Sequence, residues 1–294
     1  MPEVQFGGQA VIEGVMMRGP HRLAVAIRRP AGDILVEARP FSSWASRHRL
    51  LRLPFFRGVV ALVESLVLGI KYLSLSAGVA LEEEGEELRP RDLILTVALA
   101  LVVATGIFVV IPAVLAMLTH VWLPFYGQSL LEGFLRLALF LGYIAAISQV
   151  KDIQRVFQYH GAEHKVINAL EAGEELTVER IRPYSTLHPR CGTSFLLLVV
   201  LLSVFFFSFL GKGGIWWRLF SRIALLPVVA GSAYEVIKWA SRHMGSPVVR
   251  LVVAPGLWLQ KFTTREPDDE MLEVALKALL AAKGEASAGE VVRC

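Results

Sequence analysis

The stretch LILTVALALVVATGIFVVIPAVLAML, Leu93 to Leu118, runs for 26 residues without an ionisable side chain. At 1.5 Å rise per residue a helix of that length outreaches the roughly 30 Å hydrocarbon layer of a bilayer. Three more runs read the same way: Leu130 to Val150, Ser194 to Leu210, and Leu219 to Trp239. The third is at the short end for a span, and the fourth carries Arg222 and Pro227. Pro112 and Pro227 are tolerated in membrane helices and mark kinks. The bulk composition agrees. At 294 residues, 54% hydrophobic, 19% charged and mean hydropathy +0.54, the chain is too apolar for an ordinary soluble domain. The net charge of +4 is modest and points to no nucleic-acid partner.

Orientation follows from Lys and Arg asymmetry. The connection 119–128 has none, whereas 151–193 carries Lys151, Arg155, Lys165, Arg180, Arg182 and Arg190. The first 93 residues and the stretch after Trp239 are also basic. The positive-inside rule then puts both termini and the 151–193 loop in the cytoplasm, with 119–128 and 211–218 outside. Lys212 and Arg218 weaken that rule at the second outer loop without reversing it. No basic n-region precedes an apolar core in Met1 to Gly14, so no secretory signal peptide is expected. With Cys191 and Cys294 as its two cysteines, the chain is not a disulfide framework.

The fifth apolar segment, Pro54 to Leu81, carries Arg57, Glu64 and Lys71 seven positions apart, which lines three charges along one stripe of a helix. A span here would put the Arg-rich stretch 18–57 outside, so the segment reads as an interfacial or re-entrant helix. The alternative is a span with its charges turned into the bundle. The expected fold class is a mainly α-helical integral membrane protein: about four transmembrane helices, this extra helix, a small N-terminal β-meander and a C-terminal amphipathic helix. The meander is expected from strands at Gln9 to Met17, Arg22 to Arg29 and Ile34 to Ala38, with turns at Gly19-Pro20 and Pro30 to Asp33. Apart from Gln9, Glu13 is the polar residue of the otherwise apolar first strand, and buried there it requires a partner, one of the nearby arginines or else the metal region.

The chain divides into a β-rich segment 1–53, the extra helix with the acidic link Glu82–Glu87 at 54–92, two spans at 93–150, a His/Cys loop at 151–193, two spans at 194–240, and a helical tail segment 241–294. Within the loop segment, a helix is expected from Asp152 to Glu171, weakened at Gly161. In the last part, Pro255-Gly256 is expected to stop a helix opened at Ser246-Pro247, and Asp268-Asp269 to open an amphipathic helix to Ala282, with disorder beyond Lys283.

Metal-binding chemistry collects in one place. On a helix, His160, Glu163 and His164 stand at i, i+3 and i+4 and share a face. His-x-x-Glu-His is the inverted zinc-peptidase spacing, in which two histidines bind zinc and the glutamate acts on a water. Membrane topology brings His188, Cys191 and Glu235 to the same boundary. Two ligand sets compete. His160, His164 and Glu235, with Glu163 as general base, describe an open catalytic zinc; His160, His164, His188 and Cys191 describe a closed structural zinc. Mixed sets use His188 or Cys191 as third ligand. Cys191 also stands at the start of the third span, where a helix N-terminus lowers a thiol pKa, so it doubles as a candidate nucleophile. Arg182 and Arg190 offer a phosphate or an anionic lipid headgroup a place to bind. Arg136 and Arg222 lie deep in spans, either paired with an acid such as Glu132 or marking a transport path.

Four motifs, GGQAVIEGVMMR (7–18), YHGAEHK (159–165), HPRCGTS (188–194) and TTREP (263–267), together resemble a widespread family of bacterial multi-pass membrane proteins that carries the label "predicted metal-dependent enzyme". The resemblance covers nearly the whole chain and implies a membrane location and a metal, without a reaction. The leading expectation is a membrane-integral, zinc-dependent hydrolase acting at the cytoplasmic boundary of the lipid bilayer. A non-catalytic scaffold with a structural zinc is the alternative, and a transporter a third.

Overall fold

The computed structural model describes residues 6–46, 48–81, 90–211 and 213–285; the acidic link at Glu82–Glu87, Lys212 and the last nine residues lie outside them. Four strands open the chain: β1 (Gly7–Val11), β2 (Gly14–Arg18), β3 (Arg22–Arg28) and β4 (Ile34–Pro40). They pair in sequence order as an antiparallel meander. The expected first strand, Gln9 to Met17, is therefore two strands folded at Ile12-Glu13. Glu13 takes a left-handed backbone (φ 53°), and its carboxylate is gripped by Arg155 and by the Tyr159 hydroxyl at 3.3 Å. A non-glycine turn residue with φ above zero carries no Gly or Asn signal, and that is why the turn is missed. Gly14 next to it is required: a Cβ there would lie 2.2 Å from the Ala26 carbonyl oxygen.

Both faces of this small sheet are covered, which explains its unbroken apolar runs. Val15, Met17, Ala24 and Ala26 pack with residues from two later helices, α5 and α10 (below). Met16, Leu23, Val25 and Ile27 pack on the opposite side against Tyr72 and Val79 of α1 (Phe56–Leu81). Each such buried Val, Leu or Ile contributes about 1.5–3 kcal/mol. Ser76 of the same helix accepts the Ile12 backbone N–H. Two of the three stripe charges on α1 are spent internally. Arg57 pairs with Glu235, and Glu64, 2% exposed, accepts from the Ser43 hydroxyl and the Trp44 N–H beside Arg18. Lys71 stays exposed.

The bundle follows. α2 (Pro90–Thr105) runs through a π-helical turn, Gly106–Val110, into α3 (Ile111–Leu118). Pro112 has no N–H for the Phe108 carbonyl one turn back, and Arg136 Nε donates to that carbonyl at 2.8 Å. α4 (Phe125–Ile147) ends in a short break before α5 (Lys151–Glu171), so the loop-segment helix is a separate element. α6 (Val178–Ile181) and an irregular loop lead to α7 (Gly192–Ser208), then α8 (Ile215–Arg242), α9 (Pro247–Thr263) and α10 (Asp269–Lys283). α9 runs on through Pro255, where a stop was expected. Gly256 seats against Ser194 so closely that a Cβ would sit 2.7 Å from its hydroxyl, so packing on α7 carries the helix past the missing hydrogen bond. α10 opens as expected, with the Asp268 carboxylate accepting the Met271 N–H at 2.8 Å.

By length and apolarity four helices can cross a bilayer: 56–80, 91–118, 125–147 and 216–242. α7 is apolar but shorter, at 17 residues. The count of four matches expectation, while its membership differs: α1 qualifies and α7 falls below the length criterion.

Candidate metal centre

α5 carries the motif face. His160 Nδ1 lies 2.8 Å from the Thr263 carbonyl and His164 Nδ1 lies 2.6 Å from the Thr186 carbonyl. A carbonyl only accepts, so each Nδ1 carries a proton and each Nε2 is the nitrogen left to meet a partner inside the site. His160 Nε2 faces Cys191 Sγ at 3.4 Å. One nitrogen of each histidine and the sulfur all lie within 4.8 Å of one another. Sequence positions 160, 164 and 191 are thus brought together.

Three elements hold this geometry. The loop from residue 182 to 191 is pinned to α5 by Lys165 on the Arg182 carbonyl (2.6 Å) and Asn168 on the carbonyls of Ser185 and Leu187. From α9, buried Gln260 accepts the His188 N–H at 2.9 Å and returns a hydrogen bond to the His188 carbonyl. Cys191 is the N-cap of α7, its sulfur accepting the Thr193 N–H. The TTREP segment crosses directly over α5 at Gly161, where a Cβ would sit 2.0 Å from the Arg265 carbonyl oxygen. Gly161 reads from sequence as a weak point; it is the crossing point.

Burial opposes charge on both His160 and Cys191, but as imidazolium and thiolate they stabilise each other. The histidine is pushed up to about 9, with Glu163 and the Thr263 carbonyl helping. The Cys191 thiol is held well below its ordinary value of 9.0 by His160 and His164. The thiolate is the form of sulfur that metals bind, and at His160 a metal would take the place of the Nε2 proton while the Thr263 carbonyl keeps the ring oriented.

The expected general base is also present. Glu163 is 4% exposed, with Oε2 3.5 Å from His164 Nε2, and its side chain packs against Gly8 of β1, where a Cβ would meet it at 2.6 Å. All four side chains line one cavity of about 360 Å³, together with Gly8, Arg18 and Phe41. Gly8 and Arg18 belong to the N-terminal motif, which sequence reading left without a role at the site.

The remaining sequence candidates lie elsewhere or are engaged. His188 lines the cavity, but its Nδ1 accepts the Arg190 N–H at 3.3 Å and its Nε2 faces Glu171 at 3.4 Å, so both nitrogens are spent. Glu235 is not brought to the histidines: both its oxygens are taken by Arg57. Arg190 pairs with Glu171 and lines the cavity, whereas Arg182 pairs with Asp269 outside it. Arg136 and Arg222 share Glu132, which receives nitrogens from both at 2.8–2.9 Å.

Fold and site define a mainly helical chain with bilayer-length helices and a His2Cys cluster beside a two-faced sheet. The chain belongs to the family described as "Protein of unknown function (DUF1385)", whose model matches residues 53–285. It is 37% identical to a Bacillus subtilis (strain 168) protein described as "Uncharacterized protein YqhQ", over 93% of this chain and 90% of that one. No solved structure matches.

Proposed function

We propose that this protein is a membrane-integral, metal-dependent hydrolase whose site lies at the cytoplasmic boundary, with His160, His164 and Cys191 as ligands and Glu163 as the base. The observation behind it is the pair of imidazoles held by Nδ1 to backbone carbonyls, with one nitrogen of each and the Cys191 sulfur within 4.8 Å of one another. The donors fit a cation. Tetrahedral zinc at the usual bond lengths sets neighbouring nitrogen and sulfur donors about 3.5 Å apart, and Cys191 Sγ stands 3.4 Å from His160 Nε2. Three protein ligands leave one coordination position open, the arrangement of a catalytic site. A cation there supplies Lewis acidity and an acidified water. Glu163, buried at the cavity wall, takes the proton, and Arg18 and Arg190 face the same space to meet negative charge.

For the membrane arrangement, the sheet packs on α5 and α10, so these belong on one side. Two crossings, α2–α3 and α4, separate α1 from α5; a third crossing by α1 would part packed neighbours. α1 therefore lies along the interface, α7 and α8 form the second hairpin, and the basic character of 151–193 puts this side in the cytoplasm.

The test is elemental analysis of purified protein, with hydrolysis of model esters and phosphodiesters alongside. About one metal per chain is expected in wild type and in Glu163→Gln, with activity lost in the latter. Metal falls to background in His160→Ala and Cys191→Ser. A wild-type protein purified without metal that takes up none on addition of zinc or manganese refutes the proposal.

A further inference from the structure

A second cavity of about 630 Å³ adjoins the first. It is the gap between α1 and α7, each of which packs on α8. Most of its wall is apolar, with Leu62, Leu66 and Leu73 from α1 and Leu196 from α7, and all four of these are left exposed. Its charged lining residues are Arg18, Arg190 and Lys238, with no Asp or Glu among them. Arg18, Arg190 and Gly192 line both cavities, so the apolar cleft and the His160/His164/Cys191 cavity meet at two guanidiniums and at the positive end of α7.

We propose that this cleft takes the acyl chains of an anionic, phosphate-bearing lipid, with the phosphate on Arg18 and Arg190 at the mouth of the metal cavity. Such lipids are then the substrate class; that last step rests on the hydrolase reading, whereas lipid binding stands without it. The size is within the 300–1,000 Å³ range of ligand cavities. An exposed leucine wall beside cations with N–H groups to spare suits a ligand apolar at one end and anionic at the other. Both arginines keep donors to spare. Arg18 has Glu64 as its acid partner at 3.5 Å, a carboxylate already held by Ser43 and Trp44; Arg190 gives one nitrogen to Glu171. A guanidinium carries five N–H groups, so a phosphate can be added to each pair. The cleft opens along α1, the helix assigned to the interface, where a lipid enters without leaving the bilayer.

The experiment measures binding to the full-length protein in detergent of three probes: short-chain phosphatidylglycerol, phosphatidylcholine of equal chain length, and inorganic phosphate. Phosphatidylglycerol is expected to bind saturably, at least about tenfold tighter than phosphatidylcholine and about a hundredfold tighter than phosphate, since every 1.4 kcal/mol is tenfold. Arg18→Gln with Arg190→Gln erases the preference between lipids. Leu66→Trp, which fills the cleft from an exposed position, weakens both lipids at least about tenfold. Equal binding of the two lipids by wild type overturns the headgroup assignment, and needs no variant to be read. Phosphate binding as tight as lipid makes this a free-phosphate site; an unaffected Leu66→Trp removes the chains from the cleft. Cys191→Ser, depleted of metal, still binds phosphatidylglycerol if only the hydrolase reading fails.

Discussion

Around Glu132 two buried arginines are spent on one carboxylate, while around His160 two histidine rings and a thiolate are aimed at one another beside an open cavity. In the first region Arg222, 1% exposed, and Arg136 both bind one carboxylate, Arg136 also donates to Ser203 and the Phe108 carbonyl, and both guanidiniums lie over the Phe207 ring. In the second, the backbone fixes one nitrogen of each ring and leaves the other facing Cys191 or Glu163 in the cavity, where a cation could take the place of a proton. The difference separates a lock from a site: saturated polar groups hold helices together, and rings held in place beside a cavity wait for a ligand.

That contrast can be broken at several points. The largest effect is expected from Glu132→Ala, which leaves two buried cations without an anion and costs about 3–5 kcal/mol. Thermal unfolding in detergent reads this, and a wild-type melting temperature would mean that the cluster is no lock. Gly161→Ala comes next, at about 1–3 kcal/mol for forcing the Arg265 carbonyl off α5. Because the displaced segment includes the Thr263 carbonyl, metal retention after dialysis against a chelator also falls; stability loss without metal loss would uncouple clasp from site. Asp268→Ala removes the N-cap of α10 and costs about 1 kcal/mol with no change in metal content. The smallest effect concerns acid. Burial raises the Glu171 carboxyl, but His188 and Arg190 outweigh it and hold it below its ordinary value of 4.5. A depressed carboxylate stabilises the fold above that value, and its contribution is lost as pH falls through the lower folded one. Glu171→Gln therefore flattens the stability curve below about pH 4.5, seen as a smaller drop in melting temperature on acidification.

Periodicity carried most of what could be read in advance: the apolar runs, the C-terminal amphipathic helix, and the one-face placement of His160, Glu163 and His164. Cys191 was legible because a span begins just after it. Glu235 was not, since nearness to the right boundary says nothing about which way a helix face is turned; it faces α1, where Arg57 takes it. The Ile12-Glu13 turn escaped because its left-handed residue is held by Arg155 and Tyr159, more than 140 positions away. Pro255 misled for a similar reason, local chemistry being overruled by packing against Ser194. The TTREP motif was visible as letters but silent in meaning, because it acts through backbone carbonyls.

That last point bears on how the molecule is made. The acceptor that fixes the His160 tautomer, Thr263, is about a hundred residues downstream, and the segment carrying it is anchored by Arg265 N–H on Phe157 and by Glu266 on Lys165. A nascent chain that has emerged only as far as its last apolar hairpin has both histidines and the cysteine, and Thr186 to hold the His164 ring, but nothing to hold that of His160. Assembly of the cluster thus waits for translation to run nearly to its end, and a product truncated before Thr263 would carry every apolar helix through α8 with the His160 ring left unheld.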